Sequence, residues 1–547
     1  MADKLYFSRD AKLYVELTSA AGKYQGLWEV PVLDGFSFSQ TSNQTEIGLN
    51  EMESTSGVSR RGRRVFTDSL APAEWSFSTY LRPTITSGSD ANSDSKHHLV
   101  DQVLWAAMAG ANEFKGASVT AAPTSSGNIT TYEGDYKRSS TDAVNGVNGT
   151  SGLVYDETGS STLPSGETTG GLLDFKNSNR ATLPQITLYF VFETDTTNPM
   201  VYKLTNAIVN ECSIDFDIDG IATANWSGFA KNITDLQSAG LVTVGTTAPT
   251  SGFTDVFLDS GKDFKLSVPV DADSDGTADA YRAAANKGVT STSNFIRNRL
   301  TQLEVRGQNP DVMEGKQVAI SGYTSPDFST ATAHGLKAGD KVVIKNITGT
   351  NAADVNDTIR TVFAVDSTTS FSLSDDAASP SEDTPVLDSS QTATVDTGNY
   401  NFTLTGGNLT ISNNVTYLVP EELGTINIPV EGVTGARAIG GSFTCYLVFD
   451  NDSTVNGNTG ASTDFFADLV NSNKGLTKVV NDFDVTFKVG GTTAGTPRVN
   501  FNFPQVHIDV PSHSIEDVIS LETNFGAYTN DFDISDEFNL EVHGVAT

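Results

Sequence analysis

The feature that most constrains the fold is a strict alternation of apolar and polar side chains in several short segments. One such segment runs from Cys212 to Asp219 and another from Phe483 to Val489. Successive side chains of a β-strand point to opposite faces, so a period of two predicts strands with one buried and one wet face. The chain is therefore predicted to be mainly β, built from sheets that keep one face in solvent.

The composition agrees with this prediction. Of the 547 residues, 37% are hydrophobic and 48 are glycine, which suits short strands joined by turns. A chain of this length is expected to divide into about three to four domains, because single hydrophobic cores stop growing beyond roughly 250–300 residues. The two cysteines, Cys212 and Cys445, are too few for a disulfide framework or a cysteine-rich zinc site.

The charge is strongly acidic, with 67 acidic and 34 basic residues and a formal net charge of -33. Because affinity for phosphates comes from lysine and arginine, this balance argues against a surface that grips nucleic acid. Solubility or a salty habitat would account for the charge equally well. The opening MADKLYFSRD predicts no secretory signal, and no apolar run approaches the roughly 18 residues of a membrane span.

Four segments recur later in the chain in the same order. The matched pairs are 34–52 with 406–423, 73–81 with 439–447, 96–108 with 462–470, and 211–230 with 505–528. In the second pair Ser76-Phe77 matches Ser442-Phe443, and in the last pair Asn225-Trp226 faces Asn524-Phe525. The third pair has the apolar stripe of a helix, which predicts a helix from Lys96 and another from Ser462. The recurrence predicts a duplicated strand-rich domain with a flanking helix.

The two copies are interrupted by segments of different character. Residues 116–185 are rich in Gly, Ser and Thr and are predicted to form a decorated loop or small domain on the rim, whereas 317–397 reads as a compact β module outside the barrel. The first copy is predicted over 1–115 and 186–245, with the insertion 116–185 between its two parts. A linker follows over 246–290. The second copy is predicted over 291–316 and 398–547, with the module 317–397 between its two parts.

The linker holds one motif with metal-ligand spacing, DADSDGTAD. Carboxylates at alternate positions followed by a glycine turn can converge on a hard cation, as in the first part of an EF-hand loop. The twelfth position is Arg282 instead of glutamate, which excludes a complete EF-hand. A partial calcium loop and a simple acidic linker both stay open. The candidate ligands are Asp271, Asp273, Asp275 and Asp279.

Signatures of catalysis are missing from the sequence. None of the six histidines lies in an HExxH or another paired metal spacing, and neither a P-loop nor a GxSxG elbow occurs. Carboxylates are abundant, but nothing in the pattern singles out an acid and base pair. We expect no cofactor apart from the possible calcium, and an enzyme is the weaker interpretation.

The opening copy resembles the tail tube proteins of long-tailed bacteriophages. The resemblance is carried by DAKLYVEL, EVPVLDGFSFSQTSNQTEIGLNEM, AEWSFSTYLRP and HHLVDQVLWAAMAG, and by the closing GFA or GAY of each copy. It implies a small β-barrel of two packed sheets with a flanking helix. In that family six such domains form a ring, the inner sheets join into one barrel, and stacked rings conduct DNA. With two copies per chain, the resemblance implies trimeric, pseudo-hexameric rings.

The same resemblance implies a site between rings. A long loop of the family contacts the neighbouring ring, and it falls where this chain has the segment SRRGRR. Arginine forks can bind carboxylates of an acidic neighbour in bidentate fashion, although an ordinary solvated loop is the alternative. The clasp would use Arg60, Arg61, Arg63 and Arg64.

The resemblance also implies a channel and a set of partners. An acidic strand face is expected to line the channel, because like charge keeps DNA from sticking to its wall. This face includes Asp215, Asp217 and Asp219. The expected partners are further copies of the chain and other tail proteins, namely baseplate or hub, tail terminator and tape measure, with no membrane. DNA passes without specific binding. The expected location is the virion tail, with assembly in the host cytoplasm.

The sequence therefore indicates a structural, non-enzymatic tail tube subunit. The nearest alternative is a tail hub or baseplate ring protein of the same fold, which would form one ring and stop. A calcium-dependent extracellular β-rich adhesin would explain the acidity and the aspartate loop, and it would need export. A carbohydrate-active enzyme would need a cleft with a strongly perturbed carboxylate pair.

Overall fold

A computed structural model describes a large part of the chain. The described residues are 6, 11–18, 24–46, 65–86, 96–109, 130–131, 154–155, 171–174, 183–192, 200–236, 241–242, 257–259, 265–270, 280–283, 291–375, 381–419, 428–448, 460–471, 482–493, 495–515, 518–529 and 537–546. Within them the chain consists mostly of strands with few helices, which confirms the mainly β fold class.

The elements before residue 240 form a first strand group. Their bounds are β1 (Ala11–Thr18), β2 (Tyr24–Val30), β3 (Ser37–Ser39), β4 (Ser42–Glu46), β5 (Val65–Leu70), β6 (Ala73–Tyr80), β7 (Pro83–Thr86), β8 (Lys96–Leu99), α1 (Gln102–Ala109), β9 (Thr130–Thr131), β10 (Val154–Tyr155), β11 (Gly171–Asp174), β12 (Ile186–Phe192), β13 (Met200–Phe216), β14 (Thr223–Ala230) and β15 (Asn232–Asp235).

The main strands of this group pair antiparallel in the order β2, β1, β12, β13, β14, β6, β3. Residues 31–36 connect β2, at one end of this order, to β3 at the other end, and the strands pack on an apolar core. The alternation seen in the sequence explains this arrangement. In β6, for example, Ala73, Trp75 and Phe77 are buried, whereas Glu74 is exposed and Ser76 is half-buried.

A short sheet follows the first group. Its strands are β16 (Leu241–Val242), β17 (Phe257–Asp259), β18 (Lys265–Val270) and β19 (Ala280–Ala283), together with β9 from the region predicted as an insertion. Another strand of that region, β11, pairs with a strand near the end of the chain, with Gly171 opposite Val542. The region 116–185 thus contributes strands to two different sheets.

An inserted barrel interrupts the second strand group. A 3-10 turn (Asn298–Leu300) precedes β20 (Gln302–Gly307), and the barrel then follows. Its elements are β21 (Gln317–Thr324), β22 (Asp327–Thr330), β23 (Lys341–Lys345), α2 (Ala352–Val355), β24 (Ile359–Ser367), β25 (Ser370–Leu373) and β26 (Ser390–Asp396). The six strands close on themselves around their own apolar core, which includes Phe328 and Phe371.

The rest of the second group follows the inserted barrel. Its elements are β27 (Asn399–Ser412), β28 (Thr416–Leu418), β29 (Glu431–Val433), β30 (Ala438–Tyr446), α3 (Ser462–Asn471), β31 (Phe483–Val489), β32 (Arg498–Ile508), β33 (Ser512–Ile515), β34 (Ile519–Ala527), β35 (Asn539–His543) and β36 (Val545–Ala546). The pairs β27–β20, β20–β31, β31–β32, β32–β34, β34–β30 and β30–β27 are all antiparallel and form a closed cycle.

One continuous apolar core serves both groups. Helix α1 joins them, because its Trp105 packs edge-on against Trp226 of β14 and also lies 6.0 Å from the ring of Phe501 in β32. Helix α3 begins at Ser462 as predicted. Helix α1 begins at Gln102, later than the predicted Lys96, because residues 96–99 pair as a strand with β7.

Candidate functional site

The candidate functional site is a sheet that runs through both strand groups. Its order is β3, β6, β14, β13, β27, β30, β34, β33, and every neighbouring pair is antiparallel. The first four strands belong to the first group and the last four to the second. We call this the common sheet.

The centre of the common sheet is the pairing of β13 with β27. It runs from Glu211 opposite Ser412 to Phe216 opposite Gly407. Gly407 has a φ of 150°, and a Cβ there would lie 2.5 Å from the carbonyl oxygen of Ser442, so only glycine fits without a shift. The backbone of the two groups is thus hydrogen-bonded directly across their boundary.

The two ends of the common sheet are open. Within the described part of the chain, β3 pairs with β6 alone and β33 with β34 alone. The side chains of β33 are all exposed, and Ile515 is 80% accessible. Unpaired strand edges are templates for pairing with another chain. The common sheet therefore offers two edges for assembly.

One face of the common sheet is polar and the other lies on the core. The polar face is lined mainly by Ser, Thr and Asn, with Ser37 bonded to Ser76 and Ser78 donating to Asn225. The eight segments that build the sheet contain neither lysine nor arginine. These segments are 37–39, 73–80, 208–216, 223–230, 407–412, 438–446, 512–515 and 519–527. This face thus carries carboxylates without a cation to attract phosphates.

The three aspartates predicted to line a channel lie at one end of β13. Asp215 is exposed on the polar face, opposite Asn408 of β27, and the amide of Asn225 donates to it at 3.4 Å. Asp217 and Asp219 are exposed in the turn that follows. Only Asp215 belongs to the paired part of the strand. The structure therefore places one of the three on the sheet face and two at its rim.

The core side holds a buried carboxyl group beneath the common sheet. Asp101, just before α1, accepts a hydrogen bond from the hydroxyl of Thr79 at 2.7 Å, and Trp226 Nε1 donates to that hydroxyl at 3.0 Å. Burial raises the pKa of Asp101 to about 6, against the opposing effect of these hydrogen bonds. This group ties the helix to β6 and β14.

A cluster of ion pairs between β20, β31 and the inserted barrel was not expected from the sequence. Arg306 is buried and pairs with both Glu304 and Asp340, and Lys488 lies 2.6 Å from Glu304. Burial raises the pKa of Glu304, but the charges of Arg306, Lys337 and Lys488 outweigh it and hold that pKa below its usual range. The alternation of charged and apolar residues in QLEVRG was the available signal.

The remaining predicted site residues lie outside the described residues. They are Arg60, Arg61, Arg63 and Arg64 of the clasp and Asp271, Asp273, Asp275 and Asp279 of the calcium loop. The described residues contain no group of three His, Cys, Asp or Glu side chains placed to hold a metal ion. No helix in the described ranges combines the length and apolar character needed to cross a membrane.

Comparisons with known proteins give one informative relative. The chain is 22% identical to the tail tube protein pb6 of Escherichia phage T5 over 534 residues, which are 97% of this chain and 75% of the relative. This similarity confirms the resemblance to phage tail tube proteins. No family model matches. A solved structure of a TodX deltaS2S3 mutant monoaromatic hydrocarbon channel aligns over 97% of this chain and 87% of its own. The identity is 10% and the TM-score is 0.07, which is too low to indicate a shared fold.

Proposed function

We propose that the protein is the structural subunit of a phage tail tube, in which copies join head to tail into rings and the rings stack around a channel for DNA. One observation carries the proposal. The common sheet consists of two halves with the same strand order. The end strand β3 corresponds to β27, and the end strand β33 corresponds to the last part of β13. Since β13 and β27 pair at the centre of the sheet, β33 and β3 of two copies can pair in the same way. The similarity to a tail tube protein supports the same role.

The strand pairing relates the two halves residue by residue. Ser37 pairs with Ser76 in the first half. In the second half Asn408 pairs with Ser442, which matches Ser76 in the sequence repeat. Ser37 and Asn408 are therefore counterparts. By this relation β3 corresponds to β27, so the open end at β3 matches a strand that is paired inside the chain.

The other end follows by the same reasoning. Phe77 pairs with Trp226, and its match Phe443 pairs with Thr523, so Trp226 corresponds to Thr523. This corrects the match of Trp226 to Phe525 by two residues. Because β14 and β34 have no insertion between these positions, the same offset applies along both strands, and Ala224 corresponds to Leu521.

The end strand β33 is then the counterpart of the last part of β13. Ala224 pairs with Ile214, and Leu521 pairs with His513. Ile214 and His513 are therefore counterparts, and the next residues, Asp215 and Ser514, are too.

The register between copies follows from the counterparts. Within one chain Asp215 pairs with Asn408. The equivalent pair is Ser514 of one copy opposite Ser37 of the next, which continues the common sheet with unchanged geometry. Such a head-to-tail contact forms a ring if the rotation closes and a filament if it does not. The family resemblance favours a closed ring. With two copies in each chain, three chains would complete a pseudo-sixfold ring.

The polar face suits the wall of a DNA channel. It carries Glu74, Glu211, Asp215 and Glu522 on a background of hydroxyl and amide groups. DNA binding depends on release of counterions by lysine and arginine, and the eight strand segments that build this wall contain neither. DNA would pass along such a wall without being held. Asp215 would face the channel, and Asp217 and Asp219 would lie at its rim.

The proposed role is non-enzymatic and places the protein in the tail of the virion. Its partners are other copies of the chain and the tail proteins at each end of the tube, with assembly in the host cytoplasm. A hub or baseplate ring protein of the same fold would share the ring but would not stack. Tube growth in the purified protein separates these two roles.

A cysteine pair tests the head-to-tail register. Ser37→Cys with Ser514→Cys should cross-link between copies on mild oxidation, because opposite Cα atoms in an antiparallel pair lie about 4.5–5.5 Å apart. Cys212 and Cys445 are buried and should not interfere. The matched control is Ser37→Cys with Ser520→Cys, one strand further away, which should stay uncross-linked. Assembled rings without the first cross-link would contradict the register, and a monomer that never assembles would contradict the function.

A further inference from the structure

We infer that the hairpin formed by β4 and β5 lies across the second strand group of the neighbouring copy in the same ring, with Val65 against His507. We call this hairpin the first arm and the hairpin of β28 and β29 the second arm. The inference rests on the proposed head-to-tail ring, because it needs the neighbour that the ring supplies.

The second arm shows the contact within one chain. The hydroxyl of Tyr417 donates to the carbonyl oxygen of Asn206 at 2.9 Å, and the backbone N–H of Val415 donates to Asn210 Oδ1 at 2.7 Å. Val415 and Tyr417 pack with Leu183 and Ile208 in a small buried cluster. The second arm is therefore fixed on the surface of the first strand group.

Gly432 lies close against the first strand group. A Cβ at Gly432 would lie 2.5 Å from Ile208 Cδ1, so a side chain at that position would require the end of Ile208 to shift. Gly432 pairs with Tyr417, which places both on the inner face of the arm. The outer face carries Leu418 and Val433, both exposed.

Within the described residues, no contact like that of the second arm covers the first arm. Val65 is 54% exposed and Phe66 48%, and the side chains of β4 are all exposed. An isolated two-stranded hairpin is at best marginally stable in water. Val65 and Phe66 are successive residues of β5 and lie on opposite faces of the hairpin, so a neighbour that covers one face would bury one of them.

The counterparts identify what would cover it. Nine residues beyond Ser37 and Asn408 lie Glu46 and Tyr417, so these two correspond. Glu46 pairs with Val65 as Tyr417 pairs with Gly432. Val65 therefore takes the place of Gly432 on the inner face. Phe66 takes the place of Val433 on the outer face.

The receiving surface follows from the other half. Ile208 pairs with Phe229, and His507 pairs with Gly526, the counterpart of Phe229. His507 is thus the counterpart of Ile208. On this surface His507 and Tyr528 are exposed, so an apolar arm residue can be received beside their rings.

The two contacts are complementary in size. In the contact within the chain, a glycine on the arm meets Ile208 beside the bulky Phe229. In the contact between copies, Val65 on the arm would meet His507 beside Gly526. A larger residue on the arm thus accompanies a smaller one on the receiving surface, where the ring of Tyr528 lies beside Gly526.

The hydrogen bonds at the two receiving surfaces also fit this correspondence. The carbonyl of Asn206 accepts from the hydroxyl of Tyr417. The carbonyl of Gln505, its counterpart, already accepts from the backbone N–H of Tyr528 at 2.9 Å. The first arm therefore needs no donor at this point, and Glu46 stands where the second arm has its tyrosine.

Disulfide trapping tests the inference. Val65→Cys with His507→Cys should form cross-links between copies in assembled rings, and the products should end at the mass of one ring. The matched control is Phe66→Cys with His507→Cys, which places the thiol on the opposite face of the same arm and should give less than one tenth of the cross-linked product. Ser37→Cys with Ser514→Cys reports separately on the ring itself.

Each outcome decides one statement. If the Ser37 and Ser514 pair cross-links and the Val65 and His507 pair does not, the ring stands and the arm inference is wrong. If the Phe66 and His507 pair cross-links best, the arm lies with its other face inward, which also overturns it. Cross-linked products that grow beyond one ring would show that the arm contacts a stacked ring. If no pair cross-links and no ring forms, the proposed function fails.

Discussion

The hydroxyl of Thr79 donates a hydrogen bond to the carboxylate of Asp101 at 2.7 Å, and both side chains are buried between α1 and the common sheet. Trp226 completes the contact by donating to the same hydroxyl. Burial makes the ionised form of this carboxyl group unfavourable and raises its pKa to about 6.

Stability should therefore depend on pH through Asp101. Between the unfolded value of 3.8 and about 6, the folded state binds a proton at this site that the unfolded state does not. The contribution of Asp101 to the free energy of unfolding thus falls as pH rises through this window and stays low above it. Asp101→Asn should stabilise the protein at pH 8 by up to roughly 3 kcal/mol and by much less at pH 4.

Urea unfolding of both proteins from pH 4 to pH 8 measures this difference. Comparing the variant with the parent cancels Asp468 and Asp484, whose pKa values burial also raises to about 6. Asp215→Asn, at an exposed position, serves as the control for the loss of one carboxylate. A difference between Asp101→Asn and the parent that is constant across this range would contradict the assignment.

The ion pairs of Arg306 should fix the inserted barrel to the second strand group. Replacing Arg306 by Met removes the side-chain ion pair of the largely buried Asp340 and leaves Glu304 with its lysine partners alone, which should cost about 3–5 kcal/mol. The exposed Arg299→Met is the matched control and should cost little. Adding Asp340→Asn to Arg306→Met should recover part of the loss, because it removes the charge that Arg306 had balanced. Equal thermal stability of the two single variants would show that the cluster contributes nothing.

The sequence was sufficient to predict which faces of several strands are buried. Alternation in β6 and β13 predicted their buried and wet faces, because each strand has a core on one side only. The wet face predicted for β31 was wrong, because Thr486 on that face is buried and Lys488 pairs with Glu304 in the ion-pair cluster. The start of α1 was missed, since the apolar stripe includes Leu99, whose backbone pairs with Pro83 in β7. Periodicity cannot show that a strand partner is present.

Contacts set by distant parts of the chain were also beyond the sequence. Arg306 meets Asp340 across 34 positions, and no local pattern links them. The match of Asn225-Trp226 to Asn524-Phe525 was two residues off, because similar residues recur two positions apart on the same face. The open edges of β3 and β33 emerged only once every strand had been paired. Of the three predicted site residues that the structure describes, Asp215 alone lies on the common sheet.

The arginine segment should control the stacking of rings. Changing Arg60, Arg61, Arg63 and Arg64 to Gln should leave the rings intact but weaken their stacking, because several charge-assisted hydrogen bonds are lost at each subunit. Raised salt should weaken stacking of the parent in the same way. Replacement of all four by Lys keeps the charge without the bidentate fork and should give an intermediate result. Tube lengths by electron microscopy across a salt series measure this, and equal lengths would leave SRRGRR a solvated loop.

Calcium binding by the acidic loop stays a prediction with a direct test. Isothermal titration of calcium into the parent should give a binding heat that is lost on changing Asp273 and Asp275 to Ala, since two of the candidate carboxylate ligands are removed. Calcium should also raise the melting temperature of the parent but not of the variant. Absence of both effects in the parent would make 271–279 an acidic linker.

The most direct test of the account is the mass and shape of the purified assembly, by light scattering together with electron microscopy. Two equivalent halves per chain, joined head to tail through β33 and β3, predict rings of three chains with six similar lobes that stack into tubes. Single monomers at every concentration, or rings of six chains, would contradict it.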